Sequence, residues 1–167
     1  MSVVISGTGL YTPKEFITNE ELVQSFNQFV VKYNEENKDQ INSGAIDALV
    51  PSSTEFIKKA SGIEQRYVQD KEGILDITRM RPRLKERSNS QVSILAEMAI
   101  KASGEAIKQS GIDSSDIDAV ICGCSNLQRA YPAVAIEVQE ELGISGYAYL
   151  SLIHISEPTR RRGISYA

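Results

Sequence analysis

Short β-branched runs alternate along this chain with longer amphipathic segments, and that alternation restricts the fold more than any other feature. Val3–Ser6 and Ala119–Cys122 are typical of short buried strands, and Tyr147 begins another. The predicted order of the strands and the longer helices is strand, helix, helix, strand, helix, strand. Layered α/β folds have this order, because the helices cover the faces of the sheet. The chain is therefore predicted to be α/β.

The first half contains two predicted helices. After Asn19, interpreted as an N-cap, apolar side chains recur every three or four residues, as on one face of a helix. They are Leu22, Val23, Phe26, Phe29, Val30 and Tyr33. A short helix is predicted to open at Ser52–Thr54 and to end at Gly62, because glycine readily ends helices.

The second half contains two more predicted helices. One runs from about Asn89 to Ser110, with Gly111 as its C-terminal stop. The other begins at Pro132 and closes at Gly143. In residues 71–90 the apolar side chains recur with no clear periodicity, so no helix or strand is predicted there.

Composition excludes several classes of function. Hydrophobic residues make up 41% and charged residues 24% of the 167 positions, which is typical of one soluble globular domain. The net charge of −4 predicts no attraction to nucleic acid or to an anionic membrane. No apolar run is long enough for a membrane helix, and the start lacks the features of a signal peptide. A cytoplasmic protein is therefore predicted.

Two motifs that could indicate cofactor or metal chemistry do not. Gly7-Thr-Gly9 follows a predicted strand, but the third glycine of a dinucleotide loop would fall at Thr12 and no helix opens before Asn19. A tight turn at the strand end is predicted instead. Cys122 and Cys124 lack the further ligands of a zinc site, and the only histidine is His154. We predict two small buried thiols, no metal and no cofactor.

The run Arg79–Arg87 is the one basic patch in the otherwise acidic body of the chain, before the last residues. Its Arg79, Arg83 and Arg87 are candidates for contacting the phosphate of a pantetheine arm or an acidic carrier protein, because guanidinium groups suit phosphate oxygens. A solvated loop explains the same residues. Tyr131 precedes Pro132 and a helix, so it is either the wall of a tunnel or a hydrophobic anchor. Spacing does not decide between these alternatives.

Several segments, taken in order, resemble the β-ketoacyl-acyl-carrier-protein synthase III family over about residues 3–149. The segments are Ile5–Pro13, Thr18–Leu22, Glu55–Ile63 with Arg66 and Tyr67, Ile117–Ile121, Tyr131–Ala133 and Leu142–Ile144. The stretch between Leu22 and Glu55, together with Cys124–Pro132, is similar to a subgroup that makes β-ketodecanoyl-carrier protein.

The resemblance implies a thiolase-like fold with two similar halves, of which this chain has an incomplete N-terminal half, and a homodimer. It implies a decarboxylating Claisen condensation with acyl-CoA and malonyl-acyl-carrier protein as substrates, in fatty-acid biosynthesis. Other thiolase-fold condensing enzymes, of the hydroxymethylglutaryl-CoA synthase or polyketide type, and a non-catalytic interaction domain are the alternatives.

Few functional residues carry over from the family. The resemblance implies that Phe56 stacks on the adenine of CoA and that Tyr131 borders the acyl tunnel near the dimer interface. The family often has Arg where this chain has Ala60. The family's catalytic Cys should follow soon after Tyr149, and its His and Asn should come after residue 167. No catalytic residue is therefore assigned, and the chain alone is predicted to be inactive.

The residues after Tyr149 differ from those before them, because the resemblance to the family ends there. Leu150–Arg160 resembles a translated sequencing-adapter string, so residues 1–149 are predicted to be the native part and 150–167 a non-native tail. A genuine basic C-terminal extension is the alternative. A half-sheet without its later strands would leave an apolar edge and face uncovered. We therefore expect the chain to be insoluble or molten when expressed alone.

Overall fold

The computed structural model describes residues 2–124 and 126–151, which form two compact units. Residues Thr12–Glu86 make up the first, called the 12–86 unit. Residues 2–11 and those described after Glu86 make up the second, called the split unit. Each unit combines helices with a two-stranded sheet, so the α/β prediction is confirmed.

The 12–86 unit contains two strands and four helices among the described residues. They are β1 Glu15–Thr18, α1 Asn19–Glu36, α2 Lys38–Asn42, α3 Thr54–Ser61, β2 Gln65–Val68 and α4 Lys71–Leu75. β1 and β2 pair antiparallel, with Glu15 opposite Val68. The side chains of Ile17 in β1 and Val30 in α1 are fully buried. The predicted helices at α1 and α3 are confirmed, whereas the pairing of β1 with β2 was not predicted.

The start of α1 differs by one residue from the prediction. Thr18, and not Asn19, is the N-cap: its hydroxyl accepts from the Glu21 N–H, and the Glu21 carboxylate accepts from the Thr18 N–H. This reciprocal capping box satisfies two backbone donors at once. Asn19 is buried, and its side chain donates to the Ile63 carbonyl at 2.7 Å.

The split unit contains the other regular elements. They are α5 Ile94–Ser110, a 3₁₀ turn at Ser114–Asp116, β3 Ala119–Gly123, α6 Val134–Glu141 and β4 Tyr147–Ser151. β3 and β4 pair in parallel, with Ala119 opposite Tyr147, and α6 connects them. Ala96, Val134 and Val138 form the buried core between the two helices and the sheet. The predicted strands β3 and β4 are confirmed.

The bounds of the two helices in the split unit differ slightly from the prediction, and those of α5 are set by its capping residues. α5 begins at Ile94 rather than near Asn89, because the Ser93 hydroxyl accepts from the Ala96 N–H at 3.2 Å. Gly111 ends it with φ 69°, as predicted. α6 begins at Val134, two residues after the predicted start at Pro132.

The predicted strand at Val3–Ser6 is wrong. No described strand pairs with these residues, and Val3 is 99% exposed. The glycines that follow allow close packing rather than a tight turn. A Cβ on Gly7 or Gly9 would collide with the carbonyl oxygens of the α5 backbone, so this segment lies directly against the helix.

The sheet of the split unit has one uncovered face. Ile121, Tyr147 and Tyr149 are 60%, 70% and 55% exposed, and the two tyrosine rings stack at 6.3 Å between centroids. An uncovered apolar face is what the sequence predicted. β4 includes Leu150 and Ser151, the first two positions of the predicted tail. The remainder of that tail lies outside the described residues.

No helix in the described parts of the chain is both long and apolar enough to span a bilayer.

Candidate functional site

Phe56 lies on α3 with its ring 66% exposed, at the edge of a cavity of about 570 Å³. The lining is mainly apolar and consists of Phe26, Val50, Pro51, Ser52, Ser53 and Phe56. Pockets of this size and character are typical of small-molecule sites. The structure therefore places the first predicted site residue beside a cavity that could hold a flat apolar group.

Two asparagines of α1 hold one wall of this cavity. The Asn27 side chain donates to the Ser52 carbonyl at 3.0 Å and accepts from the Ser52 N–H at 2.9 Å. Asn34 makes the same pair of bonds with Leu49, both at 2.9 Å. Seven helical residues rise about 10.5 Å, and three extended residues cover about 10 Å. Because these two lengths are nearly equal, both asparagines can bind the same extended segment, residues 49–52, which we call the strap.

The strap leads directly into α3. The Ser53 hydroxyl accepts from the Phe56 N–H at 3.1 Å and so caps the helix that carries the ring. Gly62 ends the helix in the left-handed conformation, with φ 71°. The position of Phe56 thus depends on a cap and on two asparagine contacts just before it.

Tyr131 is 82% exposed in the loop before α6 and is joined to Pro132 by a cis peptide bond. The loop is bound to the residues before α5 by two neighbouring side chains. Gln128 accepts from the Ile94 N–H at 2.8 Å, and Arg129 donates to the carbonyls of Asn89 and Gln91 at 3.2 and 2.5 Å. An aromatic ring exposed on a well-held loop is available to contact a partner or substrate.

A buried carboxylate completes this loop. Glu137 of α6 is only 6% exposed and accepts from the Ser93 N–H and hydroxyl at 2.8 and 2.7 Å. The Arg129 guanidinium lies 3.4 Å from the same carboxylate. Buried charges are retained in proteins when they are paired and hydrogen-bonded in this way. The network joins the start of α5 to the loop that carries Tyr131.

The three candidate arginines all have contacts within the chain. Arg83 pairs with Asp76 at 3.0 Å, and its N–H donates to Asp70. Hydrogen bonds from Thr78, and then the contact with Arg83, lower the pKa of Asp76 to about 2. Arg79 donates to the backbone carbonyls of Arg81 and Pro82, at 3.2 and 3.5 Å.

Arg87 belongs to the split unit, where it pairs with Glu97 at 2.6 Å and donates to the Val92 carbonyl at 2.7 Å. Hydrogen bonds from Lys101 and then from Arg87 hold the pKa of Glu97 below its usual range. Arg87 therefore stabilises the start of α5 in this structure. None of the three arginines lines the cavity beside Phe56.

Cys122 and Cys124 are half-buried free thiols rather than the fully buried pair that was predicted. Burial raises the pKa of the Cys122 thiol, which disfavours the reactive thiolate. Among residues 2–124 and 126–151, no cluster of histidine, cysteine and carboxylate side chains could hold a metal ion.

Sequence reasoning missed the residues that support these candidates. Asn27 and Asn34 lie seven positions apart on a predicted helix, and that spacing in front of a short proline-containing segment was the available signal. Arg129 and Glu137 gave no local signal, because their contacts involve residues about forty positions away.

The chain was compared with known proteins. No protein-family model matches it. It is 56% identical over 127 residues to the beta-ketodecanoyl-[acyl-carrier-protein] synthase of Pseudomonas aeruginosa, covering 76% of this chain and 36% of that protein. It is 26% identical over 152 residues to a beta-ketoacyl-[acyl-carrier-protein] synthase III of Bacillus cereus, covering 91% of this chain and 35% of that protein. The chain spans about a third of the length of these relatives.

Solved structures share the fold. The 3-oxoacyl-[acyl-carrier-protein] synthase III of Aquifex aeolicus matches with a TM-score of 0.54 at 23% identity, over 88% of this chain and 33% of that one. A tetronic acid condensing enzyme matches with a TM-score of 0.58 at 18% identity, over 89% of this chain and 34% of that one. These likenesses confirm a partial thiolase-like fold. The sequence relatives show that the chain belongs to the β-ketoacyl-acyl-carrier-protein synthase III family.

Proposed function

We propose that the protein of which this chain is a part condenses acyl-CoA with malonyl-acyl-carrier protein in fatty-acid biosynthesis. The observation that carries this proposal is the 56% identity over 127 residues to the Pseudomonas aeruginosa synthase. In this chemistry a cysteine thiolate takes the acyl group and releases CoA. Loss of CO2 from the malonyl group then gives a carbanion that attacks the thioester, forms the new carbon–carbon bond and frees the thiolate.

Within this proposal, Phe56 stacks on the adenine of CoA. The exposure of its ring and the cavity beside it support this role, because an aromatic ring can bind a flat base by stacking. Tyr131 borders the acyl tunnel near the interface of a homodimer. Its exposure and the well-held loop support that assignment.

Arg79, Arg83 and Arg87 are proposed to favour the approach of the phosphopantetheine arm or the carrier protein. Their charges act at long range even where a guanidinium is paired, since steering depends on the summed potential. We further propose that the complete protein is cytoplasmic.

The test uses the complete gene, obtained by reading genomic DNA past the codon for Tyr149. The purified protein should convert an acyl-CoA and malonyl-carrier protein into β-ketoacyl-carrier protein, with release of CO2, as measured by mass spectrometry. Absence of condensation with every acyl-CoA tried would refute the proposed reaction.

Variants of Phe56 test its role separately. Phe56→Ala should raise the KM for acyl-CoA about tenfold with little change in kcat, because stacking binds the ground state and the transition state equally. Phe56→Trp keeps an aromatic face and is the matched control, with a KM close to the parent value. An unchanged KM in Phe56→Ala would contradict the adenine contact without touching the reaction itself.

A further inference from the structure

The exposed ring of Tyr131 lies between two anchored points of the chain. On one side, Pro132 has a fixed φ and leads into α6, whose Val134 and Val138 are buried in the core of the split unit. On the other side, Arg129 lies two residues before the ring. The Tyr131 side chain itself has no hydrogen-bond or ring partner among the described residues, and it is 82% exposed. The position of the ring is therefore set through the backbone on both sides.

Arg129 is held by contacts with two other segments of the split unit. Its guanidinium donates to the carbonyls of Asn89 and Gln91, in the segment before α5, at 3.2 and 2.5 Å. The same guanidinium lies 3.4 Å from the Glu137 carboxylate of α6, and the arginine side chain is only 12% exposed. A guanidinium is planar and carries five N–H donors, so one orientation of the group can serve all three oxygen partners.

The Glu137 carboxylate does not depend on Arg129 for its hydrogen bonds. The N–H and hydroxyl of Ser93, which is fully buried, already donate to its two oxygens at 2.8 and 2.7 Å. The desolvation of a buried ion pair largely offsets its attraction, so such a pair adds little stability over apolar residues of the same size. The distinctive effect of Arg129 is geometric, because it fixes the loop backbone just before Tyr131 against α6 and the segment before α5.

We propose that Arg129 is a positioning residue that fixes the ring of Tyr131 and so limits the acyl chain lengths that the enzyme accepts. The inference rests on the proposed function, in which Tyr131 borders the acyl tunnel. A wall that is held in place excludes chains that do not fit, whereas a wall that moves adapts to several lengths. Arg129 acts through the loop and does not touch the substrate.

The experiment measures kcat/KM of the complete protein for a series of saturated acyl-CoA substrates of increasing length. Arg129→Met is combined with Glu137→Gln, because glutamine still accepts from the Ser93 N–H and no charge is left unpaired in the interior. The ratio of kcat/KM between the preferred chain and its shorter homologues should fall about fivefold. A smaller fraction of folded enzyme would lower kcat/KM for every substrate equally and leave this ratio unchanged.

A matched control makes the same two substitutions at exposed positions of α5 and α6. In Lys108→Met with Glu141→Gln, the ratio should stay within about twofold of the parent value. Equal ratios in the two double variants would overturn the proposal.

A variant without the ring tests whether Arg129 acts through Tyr131. Tyr131→Ala should by itself broaden the range of accepted chain lengths. In that background, Arg129→Met with Glu137→Gln should change the ratio no further, because residues that act as one unit have non-additive effects. A second fall of the same size would show that Arg129 acts elsewhere, and the proposal would be wrong.

Fluorine NMR reads the position of the ring without turnover. Trifluoromethylphenylalanine incorporated at position 131 of the complete protein should give one narrow resonance, which should shift or broaden in Arg129→Met with Glu137→Gln. An identical resonance in both proteins would overturn the positioning role even if the complete protein condenses its substrates. If the complete protein condenses nothing, the proposed function fails and the claim about chain length fails with it, while the fluorine spectra still decide whether Arg129 positions the ring.

Discussion

The 12–86 unit and the split unit are stabilised in different ways. In the 12–86 unit, polar side chains bind backbone groups of distant segments, as Asn27 and Asn34 do with the strap. In the split unit, apolar packing between α5, α6 and one face of the sheet dominates, and the other face remains uncovered. The difference indicates that the split unit has an apolar sheet face suited to packing against further protein.

Replacing the uncovered side chains should have the largest effect, on association rather than on folding. Tyr147→Thr with Tyr149→Thr should convert a self-associating sample into a mainly monomeric one, as measured by sedimentation velocity, because these rings form most of the uncovered face of the sheet together with Ile121. The control is Tyr33→Thr, which removes an aromatic residue from α1 in the other unit. A parent chain that is monomeric with a sharp cooperative melt would break the comparison itself.

Breaking the buried network should give the largest loss of stability. Glu137→Ala leaves the Ser93 N–H and hydroxyl without their acceptor and the Arg129 charge without its carboxylate, so we expect about 3 kcal/mol of destabilisation in urea unfolding of the complete protein. Glu141→Ala, at an exposed position of the same helix, should cost under about 0.5 kcal/mol. Similar values for the two variants would mean that the carboxylate contributes nothing as a buried partner.

Removing one asparagine contact should have an intermediate effect. Asn27→Ala loses two hydrogen bonds to Ser52, so the free energy of unfolding of the complete protein should fall by about 2 kcal/mol. Hydrogen exchange at the Ser52 amide should accelerate in the same variant. Gln28→Ala changes the adjacent exposed position and should leave that amide protected. Unchanged exchange in Asn27→Ala would show that the strap is held by something else.

The smallest effect should be a pH dependence confined to the loop after α4. The pKa of Asp76 is about 2 in the folded chain, below its ordinary value of 3.8. A carboxylate with a lowered pKa stabilises the fold above its unfolded pKa, and this contribution disappears as the pH falls from about 4 towards 2. The Met80 N–H donates to the Asp76 backbone carbonyl, and its protection factor against hydrogen exchange should fall over this range. Asp76→Asn should lower that protection factor already at pH 7. Asp47→Asn is the control, and a protection factor at Met80 that does not change with pH would contradict the prediction.

Local sequence signals predicted the helices and the parallel strands well. The apolar spacing of α1, the glycine after α3 and the β-branched run of β3 each express a preference of neighbouring residues, and all three were confirmed. The strand predicted at Val3–Ser6 failed because a strand needs a partner, which neighbouring residues cannot supply. The N-cap at Thr18 was available in the sequence as Thr-Asn-Glu-Glu, a capping-box pattern.

The candidate site was less predictable than the fold. Phe56 and Tyr131 came from the family resemblance, and the structure adds the strap and the Glu137 network. The strap depends on contacts across 15 and 25 positions of sequence, and the contact between Ser93 and Glu137 spans 44, which no local pattern encodes. The contacts of Arg83 with Asp70 and Asp76 also required the structure.

The strap has a practical consequence for labelling this protein. Because Asn34 and Asn27 bind Leu49 and Ser52 individually, we expect a change in the turn around Gly44 to leave the wall beside Phe56 in place. Gly44 has φ 72°, and a Cβ there would meet no atom beyond its chain neighbours within 4 Å. A fluorophore or affinity peptide inserted at this turn can therefore label or immobilise the protein while leaving the geometry of the cavity intact.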